Sequence, residues 1–264
     1  NIGQKGLGTK TYFRSGKLII ESQPRNGNKR YQAILEEPWD KLNKNELPVY
    51  NFDEIEFKSG CPGTIIIIED YKIDNPEKIF NFRRLKDYIL WFTAAGSFKT
   101  KFADITTLKP YVQNIYISPS ILLTDNLSDE TEQISGGHRF SPPNENPSID
   151  TTEPQFSRSN SYCKHFGPYH KETQIDGEYV SFQLYGTISG IKKRNEISSF
   201  YQGETHKSRF GLYLCKDFIP IVNRFDLLKD SNYQHFHILV NSQNFDLTAD
   251  RNNISNENNL KSKW

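Results

Sequence analysis

Methionine is absent from this chain, and cysteine is scarce. The 264 residues include no Met and three cysteines, Cys61, Cys163 and Cys215. Such an odd, sparse set excludes a disulfide-rich secreted scaffold and favours a reducing compartment. Because position 1 is not Met, we expect a chain that is processed, cut or incompletely recorded.

Long apolar runs and an excess of one charge are also missing. The longest candidate for a membrane span is the run of four isoleucines at 65–68, far below the roughly 20 residues that a spanning helix needs. Lys and Arg number 33 against 32 Asp and Glu, so no global field attracts nucleic acid or an anionic membrane. No signal peptide is visible. We therefore predict a cytoplasmic protein that does not enter a membrane.

Glycine, by contrast, is concentrated in the opening stretch, NIGQKGLGTK. Gly3, Gly6 and Gly8 let backbone N–H groups come close to a ligand, and successive N–H groups form a concavity that binds anions. The spacing G-x-x-G-x-G matches neither the phosphate loop G-x-x-x-x-G-K-[ST] nor the dinucleotide fingerprint G-x-G-x-x-G. An ordinary turn is the alternative interpretation of this loop.

The first part of the chain is predicted to be rich in strands. A short helix over residues 9–15, stopped by Gly16, precedes a hairpin whose turn contains an Asn-Gly pair. A polar stretch and a possible strand over 49–57 follow. The segment TIIIIEDYKI, at 64–73, is predicted to be a strand buried on both faces, because β-branched residues occupy both.

The second part is predicted to begin with a long amphipathic helix. Asp74-Asn75-Pro76 supplies a cap and a first-turn proline, Gly96 ends the pattern, and the core stripe is Phe82, Leu85, Ile89 and Phe92. Residues 124–160 are polar and predict a mobile loop or insertion. Further strands are predicted at 178–190, 209–221 and 236–242. The predicted fold class is α+β, an α/β sandwich in two parts that join near 72–78.

The opening loop, short helix and hairpin resemble the lid motif of the GHKL ATPases. That superfamily includes gyrase B, the heat-shock-90 chaperones, MutL and the MORC proteins, and its lid loop folds over a triphosphate. Gly63-Thr64 resembles the next landmark, a Gly-Thr pair opening a buried strand, whose threonine lies near the adenine. The resemblance implies that residues 1–75 are the rear part of a GHKL (Bergerat) nucleotide-binding fold.

A second stretch resembles the middle segment of heat-shock-90 chaperones. GLYLCKDFIPI and then FHILVNSQNFDLTADRN follow the same order of strand, turn and arginine, and in that family the arginine reaches the γ-phosphate. The resemblance implies a transducer-like α/β domain over residues 76–264, in which 240–247 aim Arg251. A surface arginine in a polar tail is the alternative interpretation.

Together the two resemblances imply one ATP site. Arg251 is the catalytic candidate, because a planar guanidinium binds a phosphate as a fork, and Thr64 is expected near the adenine. Lys5 and Lys10 could add positive charge. The expected phosphate-binding residues are Gly3, Gln4, Lys5, Gly6, Leu7, Gly8, Thr9 and Lys10.

The sequence departs from the order of motifs that is typical of the GHKL superfamily. The superfamily places a water-activating glutamate and a magnesium-binding asparagine ahead of the lid, and this sequence contains neither. We therefore expect ATP and Mg²⁺ as cofactors, a Mg²⁺ ligand N-terminal to this chain, and no hydrolysis by this chain alone. The expected function is a homodimeric ATP-binding conformational switch that acts on a protein client or nucleic acid.

Two other interpretations stay open. The chain could be a protein- or nucleic-acid-binding module that keeps the fold without turnover, or an unrelated α/β domain. Weaker candidates are a metal site at Cys163, His165 and His170 or at His235 and His237. A basic surface is also possible, formed by Lys192, Lys193, Arg194, Lys207 and Arg209.

Overall fold

The computed structural model describes residues 11–60, 62–108, 120–134, 144–147, 161–175, 177–194, 210–224, 235–248 and 251–256. The fold is α+β, with more strand than helix and mostly antiparallel pairing. The chain divides into two compact units, Asn1–Ile79 and Phe80–Trp264. Each unit is described by itself.

The first unit contains a four-stranded antiparallel sheet. Its strands are β1 (Ser15–Gln23), β2 (Arg30–Glu36), β3 (Tyr50–Ile55) and β4 (Gly63–Tyr71), in the order β3-β2-β1-β4. The predicted hairpin and the strand near residue 50 are confirmed. Part of the polar stretch after β2 forms a short helix, α1 (Pro38–Asn43), which begins with the buried Pro38.

The predicted helix stop at Gly16 is wrong. β1 already begins at Ser15, so Gly16 lies inside a strand. A Cβ at this position would lie 2.7 Å from Oδ2 of Asp70, which is closer than side chains pack. Gly16 therefore lies beside Asp70 within the sheet instead of ending a helix.

The prediction that the isoleucine strand is buried on both faces is also wrong. Ile65, Ile66, Ile67 and Ile68 are 51%, 40%, 39% and 37% exposed. Within the described residues β4 is hydrogen-bonded to β1 on one side only, at an edge of the sheet. A run of β-branched residues predicts strand conformation, but it does not say whether another layer covers the strand.

Two helices stand where one long helix was predicted. α2 (Pro76–Ile79) is a single turn, and α3 (Phe82–Phe92) has its own cap, since Asn81 Oδ1 accepts a hydrogen bond from the N–H of Arg83 at 3.1 Å. Asn81 is extended, at φ −60° and ψ 136°, so the helix cannot continue through it. The predicted core stripe is only partly correct, because Phe92 is exposed while Trp91 is buried.

The second unit is built on a five-stranded sheet. Its strands are β7 (Cys163–Ile175), β8 (Glu178–Ser189), β9 (Gly211–Lys216), β10 (Ile219–Asn223) and β11 (Phe236–Asn241), in the order β10-β9-β11-β8-β7. Among the described strands of this sheet, only the β11–β9 pair is parallel. β7 was not predicted from the sequence. A short helix, α4 (Ile191–Arg194), follows β8.

An aromatic core covers one face of this sheet. Two 3₁₀ helices, Ala94–Gly96 and Phe98–Phe102, follow α3. The buried cluster consists of Trp91, Phe98, Phe102, Leu108, Tyr185, Tyr213, Cys215, Phe218 and Leu239. Burial of these large side chains is the main favourable contribution to folding of this unit.

The predicted mobile insertion over 124–160 is wrong in its first part. Strands β5 (Ile121–Asp125) and β6 (Glu130–Ile134) form an antiparallel hairpin there. Asp125 stabilises its turn, because Oδ1 accepts the N–H of Leu127 and Oδ2 the hydroxyl of Ser128, both at 2.9 Å. Residues 135–143 and 148–160 lie outside the described residues.

Candidate functional site

The predicted ATP-site residues divide into three groups. The lid residues Gly3, Gln4, Lys5, Gly6, Leu7, Gly8, Thr9 and Lys10 lie outside the described residues. Thr64 belongs to the first unit and Arg251 to the second. The surroundings of these two residues are therefore considered in turn.

Thr64 lies near the start of β4, opposite Ser22 of β1. The two hydroxyl oxygens are 3.3 Å apart, and Thr64 is exposed. Residues paired across a ladder share one face of a sheet. Ser22 and Thr64 therefore share the face that also carries Ile66, whereas Glu21 and Ile65 belong to the opposite face.

An open groove of about 390 Å³ lies at this end of the first sheet. Its volume falls within the range of small-molecule sites. The side chain of Gln23 fixes one wall, because Nε2 donates to the carbonyl of Lys58 at 2.7 Å and Oε1 accepts the N–H of Lys58 at 3.0 Å. The lining residues are Glu21, Ser22, Gln23, Arg30, Lys58, Pro62, Gly63, Thr64 and Ile65.

A largely buried ion pair forms part of this groove and was missed from the sequence. The guanidinium of Arg30 contacts the carboxylate of Glu21, whose other oxygen accepts Nε2 of Gln32 at 2.8 Å. These residues alternate along the two strands of the predicted hairpin, so their common face could have been inferred from the register. Two of the polar side chains that line the groove, Glu21 and Arg30, therefore already have partners within the protein.

Arg251 lies in a short loop after β11, in a left-handed backbone conformation with φ 61°. Its N–H donates to the carbonyl of Thr248 at 2.9 Å, and its side chain is exposed. Thr248 also bonds Asn253 three times, twice through its hydroxyl. A non-glycine residue in this conformation costs free energy and persists where its surroundings fix it.

The base of this segment is tied to the sheet. We call residues 242–248 and 251–256 the arginine loop. Leu247 and Ile254 form an isolated β-bridge within it, and Phe245 and Ile254 are buried in a cluster with Leu214 of β9. The ammonium of Lys216 donates to the carbonyls of Gln243, at 3.2 Å, and Phe245. The arginine is therefore carried by a well-anchored loop.

The candidate metal ligands are used differently. His235 bonds the carbonyl of Ser189 at 2.8 Å, and the rings of His237 and Phe210 pack in a T-shaped arrangement, with centroids 5.0 Å apart. Cys163 is fully buried. Among the described residues no group of three His, Cys, Asp or Glu side chains could hold a metal ion.

His170 belongs to a chain of polar side chains that crosses three strands. The N–H of Phe218 donates to Asn241 Oδ1 at 2.7 Å, and Asn241 Nδ2 donates to Gln183 Oε1 at 2.7 Å. Gln183 Nε2 then lies 3.1 Å from His170 Nδ1, and His170 Nε2 lies 2.9 Å from Glu172 Oε1. Both nitrogens of His170 are thus engaged.

Lys192 and Lys193 of the predicted basic surface lie on α4, whereas the side chain of Arg194 and residues Lys207 and Arg209 fall outside the described part. No helix in the described part is long and apolar enough to cross a membrane. No protein-family model and no curated protein matches this sequence.

Proposed function

We propose that this chain is part of an ATP-driven conformational switch of the GHKL type, in which Arg251 binds the γ-phosphate. The observation that carries the proposal is the geometry of the arginine loop. An exposed guanidinium sits on a left-handed residue whose loop is anchored to a sheet. A positioned arginine can make two parallel charge-assisted hydrogen bonds to a phosphate.

Anchoring matters because recognition of one phosphate depends on position. A flexible surface arginine loses side-chain and loop entropy when it binds. A loop that is already ordered loses less, so more of the interaction free energy remains for the ligand. Since ADP lacks the γ-phosphate, such an arginine distinguishes the two nucleotides and thereby biases the switch.

On this proposal the first unit contributes the lid, Gly3 to Lys10, and Thr64. Backbone N–H groups of the lid would bind phosphate oxygens, and the groove beside Thr64 would hold the base. Bound Mg²⁺ would neutralise phosphate charge, its ligand coming from outside the described residues. The protein would act as a cytoplasmic homodimer that does not enter a membrane, with a protein client or nucleic acid as partner.

A binding module without turnover is the second candidate. The observation that favours it is one face of the first sheet, on which Ile66 and Ile68 of β4 and Tyr50 and Phe52 of β3 are 37% to 60% exposed. Exposed apolar surface on a sheet is typical of an interaction face. On this candidate Arg251 would have no effect on nucleotide affinity.

The test is ATP binding and turnover by the longest native form of the protein. We expect this form to bind and hydrolyse ATP, the 264-residue chain alone not to hydrolyse it, and Arg251→Ala to slow turnover about 100-fold or more. The control is Arg25→Ala, which removes an exposed arginine from the turn between β1 and β2. Lys216 is not a suitable control, because it anchors the arginine loop. Absence of ATP binding at millimolar ATP with Mg²⁺ would reject the proposal and favour the binding module.

A further inference from the structure

The amide side chain of Asn244 joins the arginine loop to β8. Its Nδ2 donates to the carbonyl of Tyr179 at 3.0 Å, and its Oδ1 accepts the N–H of Ser181 at 3.3 Å. A backbone carbonyl and a backbone N–H can each serve only one of these roles, so the amide orientation is fixed. Asn244 is thereby linked to two residues of β8 that lie 63 and 65 positions before it in the sequence.

From this geometry we infer that Asn244 is a positioning residue for Arg251 and sets the preference for ATP over ADP. The inference rests on the proposed function, because it concerns the same arginine. Asn244 lies seven positions before Arg251, at the base of the arginine loop. It does not touch the nucleotide in this account, and it acts through the orientation of the loop.

Neighbouring hydrogen bonds reinforce this connection. The hydroxyl of Ser242 donates to the carbonyl of Ser181 at 2.8 Å and accepts the N–H of Asn244 at 3.2 Å. Two polar residues of the loop base, Ser242 and Asn244, are thus attached to one residue of β8. Bonds of this kind individually contribute little net free energy, but together they define one geometry.

Asn256 closes the loop from its other end. Its Nδ2 donates to the carbonyl of Asn244 at 2.8 Å, and its Oδ1 accepts the N–H of Asp246 at 2.9 Å. The two ends of the loop therefore meet at Asn244, which is itself attached to β8. Between this junction and Arg251 lie the Leu247–Ile254 bridge and Thr248.

Loss of this junction should change the direction of Arg251 without unfolding the sheet. We expect the hydrophobic contacts of Phe245 and Ile254 to remain when Asn244 becomes alanine, because Asn244 does not belong to their cluster. A shift of about 1 Å at a positioned group can lower a rate about 100-fold. The γ-phosphate contact is therefore expected to suffer more than contacts with the rest of the nucleotide.

The experiment is a double-mutant cycle in the longest native form of the protein. Wild type, Asn244→Ala, Arg251→Ala and the double variant are titrated with ATP and with ADP. We expect each single variant to lower the ATP-to-ADP affinity ratio, by about tenfold for Arg251→Ala and less for Asn244→Ala. In the Arg251→Ala background, Asn244→Ala should change the ratio no further.

Different outcomes separate this inference from the proposed function. If Arg251→Ala lowers the ratio and Asn244→Ala does not, the positioning role is wrong while the switch stands. Equal loss of ATP and ADP affinity in Asn244→Ala, or an undiminished effect in the Arg251→Ala background, also rejects positioning. If Arg251→Ala leaves the ratio unchanged, the proposed function and the inference are both wrong.

Two further variants guard against a general loss of structure. Asn256→Ala removes the closure of the loop but leaves the attachment of Asn244 to β8, so it should lower the ratio even if Asn244→Ala does not fold. An unchanged ratio in a folded Asn256→Ala protein counts against the inference. Asn126, exposed in the turn between β5 and β6, provides the matched Asn→Ala control, for which no change is expected.

Discussion

Asn241 donates its Nδ2 to Oε1 of Gln183 at 2.7 Å, and both side chains are fully buried within the second unit. The backbone N–H of Phe218 fixes this arrangement, since it can only donate and must face Oδ1 of Asn241. The orientation is passed on to Gln183, whose Nε2 then faces His170. The N–H of Phe218 therefore determines, through Asn241 and Gln183, that a hydrogen-bond donor faces the ring of His170 on β7.

The first prediction concerns the tautomer of His170. Because Gln183 Nε2 donates to Nδ1, the neutral ring should carry its proton on Nε2, where Glu172 accepts it. Nitrogen-15 NMR of the ring at neutral pH measures this directly. Gln183→Glu retains an acceptor for Asn241 but turns the neighbour of Nδ1 into an acceptor, so Nδ1 should become protonated. A protonated Nδ1 in the wild type would contradict the prediction.

The second prediction is a large loss of stability in Asn241→Leu. The substitution leaves the N–H of Phe218 and Oε1 of Gln183 without their partner. Buried groups that lose a partner cost about 1–3 kcal/mol each, so we expect the free energy of unfolding of the second unit to fall by about 2–4 kcal/mol. Urea titration followed by the fluorescence of Trp91, with the two other tryptophans, Trp39 and Trp264, replaced by Phe, measures it. Asn126→Leu, in the exposed turn between β5 and β6 of the same unit, is the control, and equal values for both variants would refute the prediction.

The third prediction is a pH dependence that comes from Glu172. Hydrogen bonds from Tyr179 and then His170 lower the pKa of the Glu172 carboxyl below its ordinary value of about 4.3. A carboxyl with a lowered pKa stabilises the folded state above its ordinary pKa, and this contribution is lost as the pH falls through the lowered value. The Tm difference between wild type and Glu172→Gln should therefore shrink as the pH falls below about pH 4.

Tyr179→Phe is the matched variant for this measurement, because it removes the larger of the two causes. It should diminish the acid-dependent part of the Tm difference while the remaining pH profile stays the same. A Tm difference that grows as the pH falls below about pH 4 would have the wrong sign.

The fourth prediction concerns the exposed strand β4. Ile66→Thr should change the free energy of unfolding by less than about 0.5 kcal/mol, since the side chain is already 40% exposed. Leu18→Ala on the adjacent strand β1, where the side chain is fully buried, should cost about 2–5 kcal/mol. Thermal or urea unfolding measures both. A cost above about 2 kcal/mol for Ile66→Thr would indicate that this face is covered in the native protein.

The sequence predicted local structure better than burial. Alternation and the Asn-Gly turn identified β1 and β2, and β-branched residues identified β4. The exposure of β4 depends on whether another layer of the fold packs against it, and a local sequence pattern does not contain this information. β7 was missed because its Gly167-Pro168 pair interrupts the strand signal. The sequence predicted one strand at 209–221, where the structure has β9 and β10. The turn between them was missed because it contains no glycine, although Asp217 and Phe218 are both left-handed, at φ 55° and 58°.

The candidate site was predictable only through resemblance. Thr64 and Arg251 were chosen by their place in two motifs, and the contacts that give them a setting are long-range. Gln23 and Lys58, which shape the groove, are 35 positions apart. Asn244 and Ser181 are 63 positions apart. Only the Glu21–Arg30 pair follows from the register of a predicted hairpin.

The central claim is that Arg251 recognises the γ-phosphate through its planar guanidinium, and Arg251→Lys tests it most directly. This variant keeps the charge but cannot bind a phosphate as a fork. Calorimetric titration of the longest native form should show ATP binding weakened several-fold, up to the roughly tenfold loss expected for Arg251→Ala, and ADP binding unchanged within about twofold. Equal ATP affinities for wild type and Arg251→Lys, or an equal loss for ATP and ADP, would contradict the account.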